Sequence, residues 1–256
     1  MIKIATPISH LFEDVEFGKK IFKLSNVLEA RENNLYDFWS KRHLFHFDID
    51  INLYWNENIK NRINKIIKTI EELEIISFQA SKCCQNIKVN KGFFEVSGNV
   101  YNKNEMKEIS RNNISWLKKK FPNLLISLEN NNYFPTSAYD YVTDTDFISD
   151  IILENNIFFL LDLSHVIITA HNRNIPYSNY LKSLPLKKIL QIHISAPKLS
   201  KNNLMLDSHD EPNEEIFVKL VQLIKNYRTI KYVTIEYYKD KKRLLNLINI
   251  LNDYLE

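Results

Sequence analysis

The chain has 256 residues, of which 45% are hydrophobic and 25% are charged, an ordinary composition for a globular protein with one large domain or two small ones. Its formal net charge of +3 permits nucleic-acid binding but does not argue for it, because the basic residues are scattered and balanced by 31 acids. The three glycines, Gly18, Gly92 and Gly98, exclude the Rossmann fingerprint and the P-loop, since both motifs need closely spaced glycines.

Short apolar runs alternate along the chain with longer stretches of helical spacing. The runs predict eight strands, at residues 2–5, 26–30, 44–51, 74–80, 124–129, 158–163, 190–195 and 232–237. Helical spacing predicts helices at residues 59–73, 103–121, 146–155, 212–226 and 241–255. Eight strands alternating with helices over about 250 residues favour an α/β fold of the (β/α)8 TIM barrel type, formed by residues 1–256 as a single domain. A doubly wound open sheet is the competing architecture.

Three further features concern the surroundings of this barrel. Residues 81–100 are longer than an ordinary strand-to-helix loop, so we expect them to form an insertion over the active face. Cys83 and Cys84 are adjacent, which excludes an unstrained disulfide between them and leaves stability to the hydrophobic core. No apolar run approaches the roughly 18 residues of a membrane span, and the start MIKIATPISH lacks signal-peptide features, so we expect a cytoplasmic protein.

Histidines and carboxylates cluster at the ends of the predicted strands and in the segment before the eighth. They are His46 in RHLFHFDID, Glu129 in LLISLEN, Asp162 and His165 in FFLLDLSH, His193 in ILQIHIS, Asp207 and His209 in LDSHD, and Glu236 in YVTIEYY. Barrel enzymes build their sites on the C-terminal rim of the strands, so these eight groups are expected to meet there. Imidazole and carboxylate ligands suit zinc, iron or manganese, and buried carboxylates are costly unless a cation compensates them. The pattern therefore predicts a multinuclear metal site.

Five stretches between residues 127 and 238 carry a family resemblance. In chain order they are SLENNNYFP, FFLLDLSHVIITAHN, QIHISAP, LMLDSHDEP and TIEYY. They resemble the multinuclear non-heme iron-dependent oxidative enzymes, which modify cysteine residues in ribosomally made peptides and include the methanobactin-biosynthesis oxidases. The resemblance implies a xylose-isomerase-like barrel and an oxidoreductase with two or three iron ions and O2 as co-substrate. It also implies a cysteine-containing precursor peptide as substrate and a separate peptide-recognition protein as partner.

The same resemblance implies a role for each candidate ligand. Glu129 would bridge a first and a second metal, with His46 at the first. The second metal would be completed by Asp162, His193 and Glu236, and the third would be held by His165, Asp207 and His209. Glu129, Asp162, His193 and Glu236 are the expected catalytic residues. His171 and Asn172 are expected to line the pocket.

The sequence departs from the family pattern at the fourth strand. The family places a second histidine there, in a stretch comparable to IISFQASKC, and this chain has Gln79. Because an amide oxygen is a weaker ligand than imidazole, the first metal site is expected to be labile or empty. His43 is the alternative ligand for that site, although it lies three residues before His46 on the opposite side of the strand. No sequence pattern pairs His10 with another candidate ligand, so it is expected to be a surface or core residue.

Three other functions compete with the oxidase. The wider group of trinuclear barrels with the same ligand order includes endonuclease IV, a metal-dependent phosphodiesterase, and more distantly sugar isomerases and epimerases. The rim loops are richer in Asn, Asp and Tyr than in Arg, which argues against a nucleic-acid partner. A binding protein that has lost a ligand is the fourth possibility, motivated by Gln79. The eight remaining groups argue against it, because they would destabilise a scaffold without metal.

Overall fold

The computed structural model describes residues 1–34, 39–90 and 92–255. Eight parallel strands close into a barrel. They are β1 (Lys3–Pro7), β2 (Val27–Arg31), β3 (Leu44–Asp50), β4 (Ile75–Gln79), β7 (Leu125–Glu129), β8 (Phe158–Asp162), β9 (Ile189–Ile194) and β12 (Tyr232–Ile235). Strand β1 pairs in parallel with both β2 and β12, which closes the sheet. The predicted TIM barrel is therefore confirmed and the open sheet is wrong, while each predicted strand is present with its ends within two residues of the predicted ones.

Eight α-helices occur in the described residues, mostly between successive barrel strands. They are α1 (Val15–Leu24), α2 (Glu57–Thr69), α3 (Lys103–Lys120), α4 (Thr145–Glu154), α5 (Leu163–Asn172), α6 (Tyr177–Lys182), α7 (Glu214–Asn226) and α8 (Lys241–Leu255). Side-chain caps fix several of their starts. Asn102 and Glu105 form a capping box on α3, and Asn213 accepts the backbone N–H of Ile216 on α7. Helices α1, α5 and α6 were not among the predicted segments.

Alternate residues of the strands face the barrel axis in layers. The layer at the N-terminal end is apolar and contains Ala5, Val27, Leu44, Ile75, Leu190 and Tyr232. Two positions further along, β4, β7 and β12 carry the small polar residues Ser77, Ser127 and Thr234. Two positions further still, the chain carries Gln79, Glu129 and Glu236. The apolar layer closes the lower end of the barrel, so the polar groups gather at the C-terminal rim.

Two antiparallel hairpins stand outside the barrel sheet. The first pairs β5 (Cys84–Asn90) with β6 (Phe93–Val100) and occupies the predicted insertion, of which residue 91 lies outside the described part. The second pairs β10 (Ala196–Leu199) with β11 (Met205–Asp210), and it was not predicted as strands. Asn172 fixes the second hairpin, because its side chain accepts the N–H of Met205 at 2.8 Å and donates to the same residue's carbonyl at 3.0 Å.

Cys83 and Cys84, at the start of the first hairpin, are free and buried thiols. Each thiol donates to a backbone carbonyl, at 3.0 Å for Ser137 and 2.9 Å for Asn86. Burial raises the pKa of the Cys83 thiol to about 11, so it stays protonated at neutral pH. Across the described ranges, none of the helices combines the length and the apolar character that a membrane crossing requires.

Candidate metal centre

The C-terminal rim of the barrel brings the eight predicted groups together. His46 and His193 lie within β3 and β9, Glu129 and Asp162 end β7 and β8, and Glu236 directly follows β12. The remaining three come from the first turn of α5, which carries His165, and from β11, which carries Asp207 and His209. All are buried except Asp207 and His209, whose side chains are 22% and 32% exposed. Those two residues therefore form the solvent-facing side of the cluster.

Glu129 lies between two histidines. Its Oε2 is 3.5 Å from Nε2 of His46, and its Oε1 is 3.2 Å from Nδ1 of His193. The other nitrogen of His46 contacts the Ser77 hydroxyl at 2.8 Å, which turns Nε2 toward Glu129. One carboxylate with each oxygen facing a different imidazole is the arrangement expected of a group shared by two ions.

Glu236 continues the cluster toward the solvent-facing side. Its Oε1 is 3.4 Å from Nδ1 of His193, and its Oε2 is 3.5 Å from Nε2 of His209. Asp207 then links His209 to His165. Its Oδ1 is 3.7 Å from Nδ1 of His209, and its Oδ2 is 3.3 Å from Nε2 of His165. Groups that the family resemblance assigns to three separate metals thus form one continuous chain of contacts.

Asp162 and His165 are fixed by the start of α5. Asp162 caps this helix, with Oδ1 accepting the N–H of His165 at 2.7 Å. The Nδ1 of His165 donates to the carbonyl of Asn130 at 2.7 Å, leaving Nε2 to face Asp207. Ligand atoms of Glu129, Asp162 and His165 lie within 4.8 Å of one another, as do those of Glu29, His193 and Glu236. Asp162 also lies in register with His193 across the β8–β9 pair, so it lies among all of these groups.

The pKa values of Asp162 and His193 reflect the carboxylates that surround them. Burial and the neighbouring Glu236 and Glu129 raise the pKa of Asp162 to about 7, although His165 acts in the opposite sense. Burial alone would lower the pKa of His193, but Glu29 and Glu236 hold it well above its usual range. The crowded carboxylates thus raise the pKa of one acid, Asp162, and of one imidazole, His193.

Two buried polar atoms test whether a metal fits here. Within the described ranges, Nδ1 of His193 and Oδ1 of Asp207 are buried without a hydrogen bond. Both atoms face other potential metal ligands, and buried polar groups without a hydrogen bond are costly unless something compensates them. The donor set consists of imidazole nitrogens and carboxylate oxygens, which suits iron, zinc and manganese. The residues present therefore fit a metal centre.

The other histidines and Gln79 lie in different surroundings. Gln79 reaches the site, with its Nε2 3.1 Å from Nε2 of His46. His43 is turned away from the site and contacts Glu74 at 2.7 Å, so the alternative to His46 does not join the cluster. His10 borders a cavity beside His209. The Nε2 of His171 donates to the backbone carbonyl of Asn203 at 2.9 Å, and His171 lines a separate cavity.

Several residues of the site were missed by the sequence reasoning. Glu29 and Arg31, on β2, are the most important, because Arg31 contacts Glu29 at 2.9 Å and also contacts Glu236. Gln191 donates to Glu29 at 2.6 Å, and Tyr238 donates to Glu236 at 3.3 Å. Glu29 carries the same signal that identified Glu236, a lone carboxylate in an apolar run, and that signal could have found it.

Two cavities flank the cluster. One, of about 620 Å³, is bordered by Arg31, His209 and Tyr238. The other, of about 450 Å³, is bordered by His165 and Asp207 and by aromatic residues that include Phe93 and Phe94 of the first hairpin. The predicted insertion thus lies beside the rim, and a ligand can approach the cluster from both sides of Asp207 and His209.

The closed parallel barrel defines the fold class, a (β/α)8 TIM barrel. The E. coli 3-keto-D-glucoside 4-epimerase YcjR has the same fold, with a TM-score of 0.64 and 14% identity over 99% of this chain and 100% of that one. A putative xylose isomerase from Rhodospirillum rubrum matches with a TM-score of 0.60 and 14% identity, over 100% of this chain and 99% of that one. At this identity the likeness concerns the fold alone.

The match to a protein family is more specific than the likeness in fold. Residues 80–252, more than half of the chain, match the family described as the RiPP precursor modification enzyme MbnB/TglH/ChrH, where RiPP denotes a ribosomally synthesised and post-translationally modified peptide. The chain belongs to this family, which confirms at that level the resemblance carried by residues 127–238.

Curated relatives match a shorter part. A UPF0276 protein of Caulobacter vibrioides is 28% identical over 85 residues, which are 33% of this chain and 30% of the relative. A UPF0276 protein of Paraburkholderia phytofirmans is 30% identical over 87 residues, which are 32% of this chain and 28% of the relative. The alignments therefore span less than a third of the length of these relatives.

Proposed function

We propose that this protein is an iron-dependent oxidase that uses O2 to modify a cysteine residue of a ribosomally made precursor peptide. Family membership supports a RiPP precursor as the substrate. The observation that carries the proposal is the pair of contacts on Nδ1 of His193, 3.2 Å from Glu129 and 3.4 Å from Glu236. A buried nitrogen facing two carboxylates in this way is the environment of a metal ligand.

The ions would be held by the eight rim groups. These are His46, Glu129, Asp162, His165, His193, Asp207, His209 and Glu236. Bound iron would supply a Lewis-acidic, redox-active centre to which a substrate thiolate and O2 have access. Within this proposal Glu129, Asp162, His193 and Glu236 are the catalytic residues.

The protein's own contribution is to position the peptide and limit water. The reacting cysteine would reach the cluster beside Asp207 and His209, because their side chains are the most exposed of the eight. In the smaller cavity, the aromatic side chains of Phe93 and Phe94 would cover neighbouring peptide residues. Tyr238 borders the larger cavity while its hydroxyl holds Glu236, so it would separate that carboxylate from solvent.

Peptide mass spectrometry tests the activity. Cysteine-containing peptides encoded beside the gene would be incubated with iron-loaded protein, with and without O2, in the presence and absence of proteins encoded nearby. We expect an O2-dependent mass change that fragmentation places on a cysteine, and no change in the matched peptide with serine at that position. The same comparison tests the proposed recognition partner, which should increase the rate. An equal change without O2 or in the serine peptide would contradict the oxidase.

Replacing Gln79 by histidine is expected to strengthen the first metal position. The amide nitrogen of Gln79 covers Nε2 of His46 at 3.1 Å, whereas an imidazole would add a ligand there. Gln79→His should therefore raise the metal content by up to about one ion per chain and slow its loss to a chelator. Gln79→Leu is the control, because it uncovers His46 without adding a ligand. An unchanged metal content in Gln79→His would contradict the prediction.

A further inference from the structure

A carboxylate on β2 contacts His193 at Nε2, the ring nitrogen that does not face Glu129 and Glu236. Glu29 is fully buried, and its Oε2 lies 2.9 Å from Nε2 of His193. The same oxygen accepts from the amide of Gln191 at 2.6 Å, while Oε1 accepts from Arg31 at 2.9 Å. Both oxygens of Glu29 are thus fixed by groups on the barrel strands, so the carboxylate has a defined position.

The hydrogen bonds of Gln191 decide which nitrogen of His193 carries the proton. The amide group of Gln191 has two hydrogens, and it donates to Glu29 at 2.6 Å and to the Thr234 hydroxyl at 2.8 Å. Its 3.0 Å contact with Nε2 of His193 therefore joins two donors. Nε2 must carry a hydrogen and donate it to Glu29. In the neutral ring this leaves the lone pair on Nδ1, which points toward Glu129 and Glu236.

Arg31 explains why Glu29 is better suited to orienting a ligand than to being one. Atoms of Glu29, His193 and Glu236 come within 4.8 Å of one another, which would by itself permit an ion among them. The Arg31 guanidinium, however, contacts both Glu29 and Glu236. It already supplies the positive charge between these two carboxylates, and an ion there would have to displace it.

We propose that Glu29 is a positioning residue, held by Gln191 and Arg31, that orients His193 so that Nδ1 faces the metals. The inference rests on the proposed metal centre but not on the metal being iron. Histidine ligands commonly donate their second N–H to a carboxylate, which fixes the ring and raises its basicity, and losing that partner typically weakens metal binding about 10- to 100-fold.

Titration of the metal-free protein with Co²⁺ tests this role. We expect Glu29→Gln to bind as many Co²⁺ ions at saturation as the wild type, with the ion that His193 would hold bound about 10- to 100-fold less tightly, and Glu29→Ala to be weaker still. The visible cobalt bands should shift, because the ring of His193 is no longer fixed. Gln191→Met, which removes only the amide that fixes Glu29, should change affinity in the same direction and guards against a folding failure in the Glu29 variants.

Glu74→Gln is the matched control. It breaks a similar histidine–carboxylate contact, 2.7 Å to His43, away from the rim, and should leave Co²⁺ binding unchanged. Wild-type affinity in both Glu29 variants would overturn the positioning role, and loss of a whole Co²⁺ equivalent at saturation would instead make Glu29 a ligand. A wild-type protein that binds no Co²⁺ would overturn the metal centre itself. A protein that binds Co²⁺ but does not oxidise peptides would overturn only the proposed reaction.

Discussion

The double variant Asp207→Ala/His209→Ala is expected to fold, to lose about one metal ion per chain and to lose its activity. Both side chains lie on β11 at the solvent-facing side of the cluster, where they connect His165 to Glu236. The hairpin itself should survive, because β11 remains paired with β10 and tied to Asn172. The loss of activity should exceed the roughly 10- to 100-fold effect of removing a partner outside the coordination sphere.

Metal analysis, circular dichroism and the peptide assay check this result together. Asp210→Ala is the matched control, because Asp210 lies on the same strand and contacts Lys239 and Ser208 rather than the cluster. It should retain the wild-type metal content and activity. A double variant that is folded, retains all of its metal and remains active would show that these two residues are not ligands.

Glu129→Gln is expected to reduce the metal content more than the double variant Asp207→Ala/His209→Ala does. Each oxygen of Glu129 faces a different histidine, so replacing one oxygen by an amide NH2 disturbs two metal positions at once. The shape of the side chain is kept, and the lower barrel layer is untouched, so the variant should fold. We expect more than one metal ion per chain to be lost, with a fall in affinity beyond about 100-fold, measured by equilibrium dialysis and mass spectrometry of the metals.

Asp50→Asn separates loss of a ligand from loss of any carboxylate at this end of the barrel. Asp50 ends β3 close to the cluster, but its charge is paired with Lys82 and it accepts the N–H of Ser81. Its replacement should lower stability by about 1–3 kcal/mol and leave the metal content unchanged. Equal metal losses in Glu129→Gln and Asp50→Asn would contradict the specific role of Glu129.

Local patterns in the sequence were sufficient for the barrel and for most of the rim. Each strand is an apolar run, and a histidine or carboxylate at its end departs from that pattern visibly, as Glu129 and Asp162 do. Strand ends differ from the predicted ones by at most two residues, because an apolar run does not mark where hydrogen bonding between strands begins and ends. The β10–β11 hairpin escaped detection, since β11 has the sequence MLDSHD and is held largely by β10 and Asn172.

The contacts that Glu29 makes beside His193 could not be predicted from local sequence patterns. The contact between Glu29 and Gln191 joins residues 162 positions apart, and that between Glu29 and Thr234 spans 205 positions. Both depend on the register of strands that meet only when the barrel closes. The position of Gln79 over His46 follows from the register between the neighbouring strands β3 and β4, which the pattern of either strand alone does not fix.

The most direct test of the account is the metal content of protein purified without oxygen, combined with its visible spectrum before and after exposure to air. We predict two or three iron ions per chain and a ferric absorbance change on exposure, because the rim supplies imidazole and carboxylate ligands for more than one ion. Zinc or manganese with no response to air would contradict an oxidase and favour hydrolysis or isomerisation. Protein that contains no metal and takes up none would contradict the metal centre.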